Sequence, residues 1–101
     1  MIAPTGEGSE RPAPGFPRTL VVPAPAARLL RKLPPPAGAD VLAALERYAA
    51  TGAGDVIRLV GVRPPQYRLR VGNYRARFTL TGTGADAVVV LVWVGDRREA
   101  Y

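Results

Sequence analysis

The stretch Tyr67–Phe78 reads YRLRVGNYRARF and holds four arginines, Arg68, Arg70, Arg75 and Arg77. Gly72-Asn73 is a two-residue turn signal between two alternating runs, the pattern of a tight β-hairpin. Across such a turn Val71 faces Tyr74, Arg70 faces Arg75 and Arg68 faces Arg77. Side chains alternate along a strand, so Tyr67, Leu69, Val71, Tyr74, Ala76 and Phe78 take one face and the four arginines the other. Like charges directly opposite one another destabilise a sheet. Folding does not ask for this arrangement, whereas a polyanion does, because the planar guanidinium fork grips phosphate oxygens bidentately. The basic run is wider still: six arginines from Arg58 to Arg77 with no acid between them. Such a patch is an electrostatic footprint for nucleic acid or another anionic partner. A solvated sheet face is the competing interpretation.

Composition narrows the chemistry. The chain has no Cys and no His, which excludes disulfides, zinc–thiolate sites and histidine acid–base catalysis together. No ligand set for a metal is visible, and no cofactor is expected. The net charge is +6, from 14 basic and 8 acidic residues, and Lys32 is the only lysine. A chain of 101 residues makes one small domain. A domain of this size buries roughly 60–70% of its unfolded surface, so stability is modest and a partner that binds the folded state raises it. The first residues carry neither a basic start nor an apolar run, so no signal peptide is expected. The longest apolar stretch, Ala87 to Val94, is far shorter than the roughly 20 residues of a spanning helix. The expectation is a soluble, cytoplasmic protein with no membrane association.

The elements that must position the arginines follow from the rest of the chain. Residues 1–17, MIAPTGEGSERPAPGFP, contain four Pro and three Gly and predict a disordered tail. RTLVV, Arg18 to Val22, predicts a short edge strand ended by Pro23. PAARLLRKL, Pro25 to Leu33, predicts a helix with Ala26, Leu29, Leu30 and Leu33 on one side, stopped by Pro34-Pro35-Pro36. Asp40 is the expected N-cap of a second helix, Val41 to Ala50, with Val41, Leu42, Leu45, Tyr48 and Ala49 inward and Gly52 as its stop. GDVIRLVGVRPPQ predicts an irregular segment leading to the hairpin. After a turn at Thr81–Asp86, AVVVLVWV is apolar in both alternating phases, as a central strand is. Trp93 and its neighbouring valines are assigned to the core, and Tyr67 and Tyr74 to packing on the helix side. Arg98 and Glu99 are assigned to the surface, with Asp96 paired to Arg97 or Arg98. The fold class is α+β, two-layer, with an N-terminal strand and a helical hairpin packed on a mostly antiparallel four-stranded sheet. Residues 18–101 form the domain, and its arginine face is left open.

With these elements in place the chain resembles the RelE/ParE toxin superfamily of type II toxin–antitoxin systems, and within it the RelE-like mRNA interferases. The specific match is YRLRVGNYRARF, an apolar strand, then VGDRREAY, against a family pattern close to YRLRVGDYRVIY and VGHRREVY. RTLVV, ARLLRKLP and IRLVG match weakly, so the resemblance spans about residues 18–101. It implies a RelE-like fold and a compact toxin neutralised by a cognate antitoxin protein. RelE-like members cut mRNA on the ribosome, whereas ParE-like members inhibit DNA gyrase on the same fold. Cleavage by the 2′-hydroxyl passes through a phosphorane that carries extra negative charge, which preorganised cations stabilise more than they stabilise the substrate. The resemblance assigns Arg75 and Arg97 to transition-state and leaving-group charge, Tyr101 to catalysis, and Arg68 and Arg70 to the scissile phosphate. Arg77 shares their face by parity and adds a phosphate contact. The chain departs from many relatives in having Arg for Lys at Arg68 and Arg70, Asp for His at Asp96, and an apolar Val60. The implied activity is a metal-independent endoribonuclease. A gyrase inhibitor, or a member that only binds its antitoxin, are the alternatives.

Overall fold

Pro23, with its fixed φ and no N–H to donate, separates a three-residue strand from a helix in which Pro25 occupies the first turn. The structure, a computed structural model, describes residues 11–99. The elements are β1 (Thr19–Val21), α1 (Ala24–Lys32), α2 (Ala37–Thr51), β2 (Asp55–Arg58), β3 (Tyr67–Val71), β4 (Tyr74–Thr81) and β5 (Val88–Asp96). Short 3-10 turns follow at Gly84–Asp86 and Arg97–Glu99. The strands form one sheet in the order β1-β5-β4-β3-β2. β1 runs parallel to β5 and every other pairing is antiparallel. The helices cover one face only: α1 lies over β5, and α2 over β1, β3 and β4.

The expected two-layer α+β architecture is present, with one strand more than expected. Asp55–Arg58, within the segment expected to be irregular, pairs with β3 and covers that strand's outer edge. Val56 is the side chain that packs on the core from it, opposite Leu69. α2 begins at Ala37, three residues before the expected cap. Pro36 takes the N-cap position with no side-chain cap, and Asp40 lies inside the first turn, donating its N–H to the Pro36 carbonyl at 3.0 Å. Asp40 still suits the positive end of the helix dipole. The early start has a packing reason. A Cβ on Gly38 would stand 2.7 Å from the Leu30 carbonyl oxygen, so only glycine lets α2 pass this close to α1. Gly52 ends α2 in the left-handed conformation at φ 84°, as expected.

Ordered contacts extend ahead of Arg18, the expected start of the domain. Ala13 donates to the Thr51 carbonyl at 2.8 Å and Arg18 to the Ala49 carbonyl at 2.6 Å. Phe16 meets Tyr48 edge-on at 5.3 Å, and the Arg18 guanidinium lies 4.1 Å from the Phe16 ring centroid. Residues 1–10 of the expected tail, and Tyr101, lie outside the described residues.

The core sits between the layers. Phe78, Leu45, Leu69, Leu91, Val41 and Val89 are its largest fully buried side chains, each contributing about 1.5–3 kcal/mol relative to exposure. Tyr48 and Tyr67 flank Phe78 at centroid distances of 5.1 and 5.6 Å. Tyr67 and Tyr74 pack on the helix side as expected. Among the described residues no helix is long and apolar enough to cross a membrane.

Candidate nucleic-acid interface

The hairpin register is the expected one: Val71 pairs with Tyr74, Arg70 with Arg75 and Arg68 with Arg77. The apolar phase faces the helices, with Leu69, Ala76 and Phe78 fully buried. The arginine phase therefore lies on the layer without helices. The six-arginine run divides, since Arg58 pairs with Tyr67 in the opposite phase and Arg63 belongs to the loop between β2 and β3. Arg68, Arg70, Arg75 and Arg77 remain together. The main chain of Arg97 lies beside the hairpin end, where its N–H donates to the Asn73 carbonyl at 2.8 Å. Arg97 itself is exposed.

Each arginine meets the mutual repulsion differently. Arg68 places Nη2 3.4 Å from the Asp55 carboxylate, an acid that the unexpected strand β2 supplies. Arg75 is only 9% exposed, and its Nη1 donates to the carbonyls of Gly72 and Tyr74, both at 3.0 Å. Its Nε is buried with no hydrogen-bond partner. Arg70 is exposed to solvent. Arg77 lies with its guanidinium carbon 5.6 Å from the centroid of the Trp93 ring, within cation–π range.

Trp93 is the residue the sequence misplaced. Simple alternation puts Val89, Leu91 and Trp93 on one face. In the structure Phe78 pairs with Leu91 but Arg77 pairs with Trp93, so Val92 is an extra residue in β5. This β-bulge reverses the phase of the strand. Val94 turns into the core opposite Ala76, while Trp93 turns out among the arginines, half-buried. The indole lies over Gly95, where a Cβ would come within 2.5 Å of Cζ2 and 2.7 Å of Cη2. Gly95 in turn pairs with Arg75.

Asp96 turns away from this face. It pairs with Tyr74 in the helix-side phase, and its Oδ1 accepts from Arg98 N–H at 2.9 Å and Arg98 Nε at 3.1 Å. These bonds hold its carboxyl below the ordinary range, the backbone N–H contributing most. Arg98, not Arg97, is thus its partner, and Arg98 and Glu99 are exposed. Among the described residues no three His, Cys, Asp or Glu side chains gather to hold a metal ion.

The assembled surface is a basic face with one aromatic ring set into it, able to hold a phosphodiester chain through several guanidinium groups. The chain is similar over 84% of its length, at 21% identity and a TM-score of 0.64, to all of a chain in the solved archaeal RelE–RelB complex from Pyrococcus horikoshii OT3. The fold is RelE-like. No family model matches the chain, and no curated protein matches it. The RelE-like sheet places the four hairpin arginines on one open layer, and the backbone of Arg97 is tied to the hairpin turn beside them. Tyr101, the remaining residue assigned to catalysis, lies outside the described residues.

Proposed function

We propose that this protein is the toxin of a type II toxin–antitoxin pair, acting in the cytoplasm as a ribosome-dependent mRNA endoribonuclease. The observation that carries this reading is the arginine phase of the hairpin, left uncovered on a RelE-like sheet. Arg68 and Arg70 would position the scissile phosphate, with Arg77 as a further contact. Attack of the 2′-hydroxyl on phosphorus expels the 5′-oxygen and leaves a 2′,3′-cyclic phosphate. Arg75 and Arg97 would stabilise the charge that grows on the phosphorane and the leaving oxygen. Two carbonyls already hold the Arg75 guanidinium, so little reorganisation accompanies the reaction. Tyr101 would position the substrate or assist proton transfer.

The partner would be an antitoxin with an acidic segment that covers the arginine face, as the RelE-like neighbour is solved together with RelB. Primer extension on mRNA after induction should show discrete cuts inside open reading frames, and co-expression of the antitoxin should abolish them. Deleting Tyr101 should lower single-turnover cleavage on programmed ribosomes by at least roughly 100-fold, and Tyr101→Phe by less. Intact mRNA together with growth arrest would reject the nuclease.

A second reading has its own support. Arg75 is turned onto the hairpin turn, and the chain holds no His to accept a proton. A face that grips anions without proton transfer fits a gyrase inhibitor, or a chain that only binds its antitoxin. Inhibition of supercoiling by the purified protein identifies the former, and harmless expression without the antitoxin the latter.

A further inference from the structure

We propose that Trp93 is a stacking platform for one unpaired base of a single-stranded RNA whose phosphates lie on Arg75 and Arg77. This rests on the reading of the arginine face as an RNA site. It adds that the site grips a base as well as the backbone.

Three independent features of β5 and its neighbour β4 converge on it. The bulge at Val92 turns the largest side chain of the strand out of the core, although the strand is otherwise rich in valine and Trp93 fits the inward phase by simple alternation. Gly95 removes the Cβ that would lift the indole off the strand, so the ring lies along the sheet surface. Arg77 stands directly opposite and Arg75 diagonally opposite. Direct cross-strand neighbours are about 5 Å apart and diagonal ones about 7–8 Å, so one nucleotide can reach both the ring and a guanidinium.

The Arg77 guanidinium lies over the ring, its carbon 5.6 Å from the centroid, too close for a base to slip between them at the roughly 3.5–4 Å of stacked contact. A stacking base therefore takes the guanidinium's place on the ring, and Arg77 turns to that nucleotide's own phosphate. Single-stranded nucleic-acid sites commonly pair a positive track with aromatic rings, because every base has a π-face to stack. A docking protein would find less here, since an apolar anchor would have to desolvate the neighbouring arginines. An RNA base brings its own phosphates to neutralise them.

Trp93 is the only tryptophan in the chain, so its fluorescence reports on this site alone. The test titrates the full chain at low salt with a dye-labelled hexaribonucleotide and with inorganic polyphosphate. Anisotropy and competition report binding, and tryptophan emission reports stacking. RNA is expected to bind and quench the emission, while polyphosphate competes for the same face without quenching. Trp93→Leu should lower RNA affinity roughly 5- to 150-fold and leave polyphosphate affinity unchanged, with Trp93→Phe recovering most of the loss. RNA binding without quenching overturns the stacking platform and leaves the phosphate site standing. Binding of neither probe overturns both. Quenching in the unaltered protein needs no variant to fold, so the outcome does not hang on the Trp93→Leu chain.

Discussion

Arg70 and Arg75 face each other across the hairpin, yet substituting them should have opposite effects on stability. Arg70 is exposed. Asp55 stands opposite it in register but directs its carboxylate to Arg68. Arg70→Thr therefore removes a like-charge cross-strand pair and introduces a residue that favours strands. The expected gain is about 0.2–1 kcal/mol, a rise in Tm of roughly 1–8 °C for a domain of this size. Arg75→Thr relieves the same repulsion but removes the donor that serves the Gly72 and Tyr74 carbonyls, together with a buried aliphatic stem. Losing those bonds costs about 1–3 kcal/mol, so the variant should be less stable by on the order of 1–2 kcal/mol. Urea denaturation at matched m-values measures both, and the double variant closes the cycle. In 1 M salt, where the Debye length falls to about 3 Å, the Arg70→Thr gain should shrink while the Arg75→Thr loss persists. On the binding side Arg70→Thr should flatten the salt dependence of RNA affinity by about 0.7 in log–log slope. Two changes of the same sign would refute the reasoning that Arg70 contributes only repulsion to the fold while Arg75 also ties down the turn.

Gly38→Ala should destabilise by about 1–3 kcal/mol in calorimetry, because its Cβ meets a backbone carbonyl of α1 that cannot move aside. Asp96 has a depressed folded-state pKa from its Arg98 bonds. Its contribution is present above the unfolded carboxyl value near 4 and is lost as pH falls through the lower folded value, so Asp96→Asn should remove that part of the acid unfolding limb. Burial raises the Tyr48 phenol, partly opposed by Arg18. The proton is held more tightly when folded, so stability is lost as pH rises above about 10, and Tyr48→Phe should flatten that alkaline limb in pH-dependent melting. Phe16→Ala should cost about 0.5–1.5 kcal/mol beyond its buried area, since it removes the edge-on contact with Tyr48, and thermal melting should register the loss.

The hairpin was fully legible in the sequence because a two-residue turn and a strict period of two leave one register that buries Leu69, Ala76 and Phe78. α1 was legible for a similar reason, with leucines at helical spacing before three prolines. β2 was not, since a four-residue strand with one side chain packed on the core leaves almost no pattern. The start of α2 was obscured by Asp40, a strong cap signal overridden by the packing of Gly38 against Leu30. Within the candidate site, four hairpin arginines were assigned correctly to one face and Trp93 was not. VVVLVWV is apolar in both phases, so the slip at Val92 leaves no trace in residue type. Only the pairing with β4 exposes it.

That slip means β5 carries its information partly as length. Up to Leu91 the odd-numbered residues point to the helices, and from Val94 onward the even-numbered ones do. Regular pairing of the same strand without the bulge, every residue kept, would leave composition untouched, yet it would reset the frame of everything downstream. It would drive an indole into a space built for Val94 and present a valine where the arginines now have an aromatic neighbour. In this strand the spacing of residues, more than their kind, decides which side chains water and ligands meet.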